Sequence, residues 1–365
     1  MNVVLAGGGT AGHVFPALAV ADELRDRGAE VTFVGAADGQ EASLVPAAGY
    51  AFVPVRAISA QTRVSLRSVR AVAIALRAAR AVRPLVDAAD AVLGIGGFAS
   101  APAVLAARST ATPLVLIEQN SVPGAVNRLG ARWARAVATT FEATAARLPG
   151  GPRIERTGNP IRREIAAVAA GRSTLAAEAR EVFGLEDGRS TVLVVGGSQG
   201  ALHVDEVVAG SLPLLSERAD LQLLVSTGRA HDAVVSGAVD PNASLVVRVV
   251  PFIERMDLAL AAARLAVSRS GASVAELAAC GVPAILVPYP HATENHQEAN
   301  AREVVEAGAA TMILEAELSP SVLVSGILEL MDDDDRRAAM ATAALAWARP
   351  DAAYRIADLV EEVAG

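Results

Sequence analysis

The sequence predicts an α/β protein with two Rossmann-like, doubly wound parallel-sheet domains, and three observations carry that prediction. First, a unit of apolar strand, glycine-rich turn and helix occurs at residues 3–12, 91–101, 191–201 and 265–276. Second, further Val/Leu/Ile runs lie between these units, at 31–34, 113–117, 221–225 and 284–287. Runs that are apolar on both faces and alternate with helical patterns are what a parallel sheet covered by helices requires. Third, "LPGGPRIERTGNPIRRE" gathers Pro, Gly and Arg around 149–163, and the series restarts at Thr191. The expected division is a first domain over 1–157, a hinge over 158–164 and a second domain over 165–342. The helical segment 343–365 is expected to return to the first domain. Two such halves make the cleft between them the default ligand site.

At 365 residues the chain has ample apolar material for two cores; the apolar share is 52 % and aromatics only 3 %. No window offers the roughly 18 uncharged apolar residues of a spanning helix. Met1 and Asn2 form no basic leader region, so no secretory signal is expected. One cysteine, Cys280, has no partner within the chain, which suits a reducing cytoplasm. The net charge of −8 argues against general nucleic-acid binding. Charge is uneven, however: 42–86 contains no Asp or Glu but holds Arg56, Arg63, Arg67, Arg70, Arg77, Arg80 and Arg83. Within it, 66–83 sets Leu66, Val69, Val72, Ala73 and Leu76 on one helical stripe, with Arg on other faces. Such a helix either docks on an anionic membrane surface or is an ordinary surface helix turning its apolar side inward.

The first glycine turn, Gly7-x-Gly9-x-x-Gly12, reads as a dinucleotide fingerprint, but His13 follows its last glycine at the helix start. The turn Gly196-Gly197-Ser198-Gln199-Gly200 combines backbone N–H groups, a helix N-terminus and a hydroxyl into an anion site. In the fourth unit Glu276 falls near a helix start, where a carboxylate accepts from a ribose diol or simply complements the helix dipole. Glu118, Gln119 and Asn120 stand at the carboxyl end of an apolar strand, the end at which open α/β sheets bind ligands. "HATENHQEANA" (291–301) brings together amides and imidazoles, each able to donate and accept toward sugar hydroxyls. His291 and His296 lack a carboxylate at zinc-ligand spacing, and the acidic run 332–335 reads as a capped, solvated turn; no metal site is expected. Cys280 reads as a small buried residue, and His203 and His231 as surface residues.

Taken together, eight stretches resemble the peptidoglycan UDP-N-acetylglucosamine transferase family, glycosyltransferase family 28. They are "GGGTAGHVFPALAVA", "GIGGFASAP", "EQNSVPGAVN", "TGNPIR", "VVGGSQGA", "FIERM", "RSGASVAELAACGVPAILVP" and "HQEANA", in family order from residue 7 to 301. The resemblance implies a GT-B fold, with the two domains facing across a cleft. It implies an inverting transfer of GlcNAc from UDP-GlcNAc to the 4-hydroxyl of the muramyl sugar of lipid I, forming lipid II, with no cofactor. Partners so implied are UDP-GlcNAc, lipid I and, peripherally, the cytoplasmic face of the bacterial membrane. Ser198 and Arg162 would hold the UDP phosphates, the Ile253 backbone the uracil, and Glu276 the ribose, with Ala272 and Ser273 beside it. Gln297 would bind GlcNAc, with Asn120 reaching in from the first domain. Thr10, Ala11 and Gly12 would lie near the donor sugar, and Gly9, Gly96, Gly97 and Phe98 would face the acceptor's diphosphate. Three departures stand out: Ala11 replaces a common glycine, Ile117 replaces a common His, and 271–276 is one residue shorter than in many members.

An inverting transfer needs a base for the attacking hydroxyl and stabilisation for the departing diphosphate. His13, the only histidine beside a glycine turn, is the expected base or orienting group. The helix after Gly200 and Arg162 would meet the leaving-group charge without an obligatory metal, since no credible D-x-D motif exists. Other readings are another GT-B enzyme (a glycolipid glycosyltransferase or a UDP-GlcNAc 2-epimerase), a dehydrogenase and a non-enzymatic nucleotide-sugar sensor. The dehydrogenase is weakened because only Asp38, late after the second strand, offers an acidic ribose partner.

Overall fold

A computed structural model describes residues 1–57, 66–197, 200–228 and 231–365, with backbone only over 66–69. Two compact units result, Met1–Arg162 with Arg349–Gly365, and Arg163–Ala348. The first unit comprises β1 (Asn2–Ala6), α1 (Ala11–Asp26), β2 (Glu30–Ala36), α2 (Glu41–Ala47), β3 (Ala51–Val55) and α3 (Leu66–Asp87). It continues with β4 (Ala91–Gly94), α4 (Ala101–Thr110), β5 (Leu114–Glu118), α5 (Ala125–Gly130), β6 (Ala136–Thr139) and β7 (Arg153–Arg156). The second comprises α6 (Arg163–Ala166), α7 (Val168–Phe183), β8 (Ser190–Val195), α8 (Leu202–Leu215), β9 (Leu221–Ser226), α9 (Asp232–Ser236) and β10 (Val246–Val250). After these come α10 (Met256–Ala262), β11 (Ala263–Ser268), α11 (Ser273–Ala279), β12 (Ala284–Leu286), α12 (His296–Glu306), β13 (Ala310–Met312), α13 (Pro320–Met331) and α14 (Asp334–Trp347). The closing helix, α15 (Ala352–Ala364), belongs to the first unit.

Both sheets are parallel throughout, in the orders β3-β2-β1-β4-β5-β6-β7 and β10-β9-β8-β11-β12-β13. The central strands β1, β4, β5 and β6 of the first sheet and β8, β9, β11 and β12 of the second are buried on both faces, as their unbroken apolar runs require. The edge strands β3, β7 and β10 are only partly buried. In β1, Val3 and Leu5 join a core layer under α1 and α15, whereas Val4 and Ala6 join the opposite layer under α3 and α4. The order reverses between β1 and β4, and between β8 and β11. Crevices open there at the strands' carboxyl ends, and the four glycine turns follow these four strands.

The first crossing between units falls after Arg162, inside the stretch read as a hinge. The return falls at Arg349 rather than at 343, because α14 runs unbroken to Trp347 with Met340 and Ala344 buried in the second unit. Ile356, Ala357, Leu359 and Val360 of α15 then complete the first unit's core. The acidic run does cap a helix: Asp333 accepts from the Arg336 N–H at 2.8 Å at the start of α14.

Candidate active site

In the first unit, β1 delivers the chain to Gly8 (φ 149°) and Gly9 (φ 96°), and Thr10 then caps α1 in extended conformation. The Thr10 hydroxyl does not close the helix end; it lies 3.1 Å from His13 Nδ1, so the first turn of α1 orients the imidazole. The β4 turn lies directly beside this one. A Cβ added to Gly97 (φ 71°) would approach the Gly8 carbonyl oxygen to 3.2 Å, and one on Gly96 (φ 86°) would meet Asn127 Nδ2 at 3.1 Å. Thr10, Ala11, Gly12 and His13 are thus gathered with Gly96 and Gly97 at one switch point, and Phe98, which follows, is exposed. Gly9 is different: its N–H donates to the Glu41 carboxylate at 2.7 Å.

Glu118 at the end of β5 is buried and accepts from the N–H groups of Asn120 and Gly124 (both 2.9 Å) and from Asn127 Nδ2 (2.8 Å). Burial pushes its carboxyl up against the downward pull of these donors. Glu118 is therefore the frame that holds the loop carrying Asn120. Arg162, the last residue of the unit's main segment, lays its guanidinium 4.6 Å from the centre of the Phe15 ring, next to α1.

In the second unit, Ser198 lies outside the described residues, but its loop is flanked by Gly197 (φ 91°) and Gly200 (φ 76°). A side chain on Gly200 would collide with the Thr227 carbonyl oxygen at 2.4 Å. The β11 turn runs through Arg269, Ser270 and Gly271 into α11, with Ala272 at its cap, Ser273 at its first position and Glu276 in its first turn. Gln297 joins this turn: its Oε1 accepts from the Tyr289 N–H at 2.9 Å and its carbonyl from the Ser270 hydroxyl at 2.7 Å. Glu294 and Asn295, just before α12, both have positive φ (53° and 54°), a left-handed turn that Asn adopts readily and Glu rarely. Ile253 is buried in the loop between β10 and α10.

Two groupings escape sequence reading. Glu41 is one, because its partners arrive from Gly9 and from β2. The other corrects the expectation that His231 is a bystander at the surface: its Nδ1 lies 3.6 Å from Asp205 Oδ2, and Asp205 is buried in the first turn of α8. Among the described residues neither Asp205 oxygen has a hydrogen-bond partner, and burial pushes its carboxyl up to about 6. A folded-state pKa above the ordinary 3.8 means the native state holds the extra proton. Stability therefore falls as pH rises from the ordinary value to the raised one, and the penalty persists above it. Asp205→Asn is expected to be more stable than the parent by about 1–3 kcal/mol at pH 7.5, the gap closing as pH drops toward 4. Urea midpoints at the two pH values measure this; a gap that does not change with pH contradicts it.

Family models match both halves of the chain: the glycosyltransferase family 28 N-terminal domain over residues 3–139 and its C-terminal domain over 191–359. The chain is 42% identical over 372 residues to the UDP-N-acetylglucosamine–N-acetylmuramyl-(pentapeptide) pyrophosphoryl-undecaprenol N-acetylglucosamine transferase of Acidothermus cellulolyticus, covering 100% of this chain and 98% of the relative. The protein of the same name from Clavibacter michiganensis is 41% identical, covering 98% and 95%. Among solved structures, Acinetobacter baumannii MurG superposes with a TM-score of 0.78 at 30% identity, covering 99% of each chain. The UDP-GlcNAc 2-epimerase of Neisseria meningitidis shares the fold, with a TM-score of 0.70 at 14% identity and coverage of 99% and 100%.

Proposed function

The chain belongs to glycosyltransferase family 28, and from that membership we infer that it transfers N-acetylglucosamine from UDP-N-acetylglucosamine to undecaprenyl-diphosphate-linked N-acetylmuramyl-pentapeptide, forming lipid II from lipid I. The observation that carries this is identity of 42% over the whole chain to a transferase of that name. Incubation with labelled UDP-GlcNAc and a lipid I analogue tests it, the expected product being the lipid-linked disaccharide. ManNAc released from donor alone, with no lipid product, would replace it with the epimerase reading.

The donor is assigned to the second unit. Ser198 and the start of α8 meet the UDP phosphates, joined by Arg162; the Ile253 backbone takes the uracil, and Glu276, beside Ala272 and Ser273, the ribose diol. Gln297 and Asn120 take the GlcNAc hydroxyls, with Thr10, Ala11 and Gly12 near the sugar. The acceptor's diphosphate is assigned to the turn holding Gly96, Gly97 and Phe98. In the reaction His13 accepts the proton of the attacking 4-hydroxyl as its oxygen bonds to the anomeric carbon and UDP departs from the opposite face, so the configuration inverts. The Thr10 contact supports this role by orienting the ring: if Nδ1–H donates to the Thr10 oxygen, the neutral imidazole is the tautomer whose basic lone pair is on Nε2.

No helix among the described residues is long and apolar enough to cross a membrane, and docking is assigned to α3. Its inward stripe is Ala71, Ala79, Val82 and Val86, whereas Val72 and Leu76, on the stripe singled out in the sequence, are 58% and 44% exposed. The side chains of Leu66, Arg67 and Val69 on that helix, and Arg63 before it, lie outside the described residues. Arg70, Arg77, Arg80 and Arg83 are exposed with Val72 and Leu76, the pairing an anionic lipid surface favours. Replacing Arg70, Arg77 and Arg80 with Glu is expected to lower co-sedimentation with anionic liposomes by about 100-fold or more, at roughly 1 kcal/mol per basic residue. Unchanged partitioning would remove α3 from the docking surface.

A further inference from the structure

We propose that Glu41 is a positioning residue that fills the anion site of the first glycine turn from inside, so that this turn serves the acceptor as a pre-shaped wall and Gly9 is not a phosphate ligand. The carboxylate of Glu41, at the first position of α2, is 1% exposed and accepts the N–H groups of Gly9 and Ala36, each at 2.7 Å. Three glycines make room for it. An added Cβ would lie 2.1 Å from Glu41 Cδ at Gly8, 2.6 Å from Cγ at Gly35 and 2.3 Å from Oε2 at Gly39.

A glycine turn between a strand and a helix ordinarily turns its N–H groups toward a ligand's phosphate. Here the outermost glycine spends its N–H on a buried carboxylate, and a second anion at that position would be repelled as well as left without the donor. Glu41 also ties the turn to the end of β2, through Ala36, and so fixes the height at which Thr10 and His13 leave the sheet. The fingerprint pattern is thus met without its usual ligand: the first unit carries its own anion.

The kinetic arm of the test rests on the transfer reading above, and the exchange arm does not. Glu41→Gln and Glu41→Ala are made in the full chain. Gly9 is exposed, yet its amide is expected to exchange with solvent at least about 10-fold more slowly in the parent than in Glu41→Ala, because only a hydrogen bond protects it there. Glu41→Gln keeps the volume but turns an amide donor toward one of the two N–H groups. Its kcat/KM for the lipid acceptor is expected to fall about 10- to 100-fold, with the KM for UDP-GlcNAc within about twofold of the parent. Equal Gly9 exchange in parent and Glu41→Ala overturns the proposal, as does a Glu41→Gln enzyme with parental acceptor kinetics. Parallel loss toward both substrates, tracking a lower melting temperature, also overturns it by making Glu41 merely structural. A parent that does not glycosylate lipid I refutes the transfer reading instead, and the Gly9 exchange then decides the role of Glu41.

Discussion

His13→Ala is expected to lower kcat by about 10²- to 10⁴-fold, the range that a positioned general base supplies. The KM for UDP-GlcNAc should stay within about threefold, because the donor is assigned to the second unit and a base acts chiefly in the transition state. The physical ground is the start of α1. Thr10 stands at the cap with its hydroxyl 3.1 Å from His13 Nδ1, and the glycine turn before it puts the imidazole at the sheet's switch point beside Gly96 and Gly97. Thr10→Val, which keeps the shape and loses the hydroxyl, should cost less than His13→Ala and lie in kcat as well. Steady-state kinetics with a lipid I analogue measure all three. Parental turnover in His13→Ala would exclude the base role.

Glu118→Ala is expected to destabilise the first unit by about 3–5 kcal/mol, since it strands the N–H groups of Asn120 and Gly124 and the Asn127 amide at roughly 1–3 kcal/mol each. Those bonds are 2.8–2.9 Å long and the carboxylate is 2% exposed, so water does not replace them without opening the loop. In a unit of this size such a loss lowers the melting temperature by about 10 °C. Glu118→Gln preserves volume, keeps one accepting oxygen and should cost about 1–2 kcal/mol. Calorimetry on the two variants separates the readings: equal losses would mean that shape, and not the carboxylate's accepting oxygens, holds the loop. Because Asn120 hangs from this frame, Glu118→Gln should also weaken use of UDP-GlcNAc if Asn120 contacts the sugar as assigned.

Much of the fold was legible because the strands of a doubly wound sheet are buried on both faces and so appear as unbroken apolar runs. Val3–Ala6, Leu114–Ile117 and Val192–Val195 are such runs, and each ends in a turn of small or polar residues at the ligand-binding end. The glycines carry local information too: Gly8, Gly97 and Gly200 stand where positive φ or a close neighbour excludes a side chain, and that requirement is written in the residue type.

The site was legible only where its parts sit on one turn. Thr10 and His13 share the start of α1, and Glu276 lies a few residues past Gly271, so pattern alone suggests a role for them. Gln297 was marked by its polar stretch, but its junction with Ser270 comes from packing α12 against the β11 turn. The inward stripe of α3 is a further case: periodicity allows two apolar stripes on that helix, and the neighbouring α4 chooses Ala71, Ala79, Val82 and Val86.

By itself the sequence determined the α/β class, the two series of strands, the four glycine turns and the family, because these depend on residue type and short-range order. Tertiary structure alone decided that Glu41 fills the first turn, that His231 faces Asp205, that Glu118 frames Asn120, and that α15 closes the first unit's core after the chain has built the second. Those facts depend on groups that meet only when the sheet and its helices bring distant segments together, and a buried carboxylate is indistinguishable in sequence from one left in water.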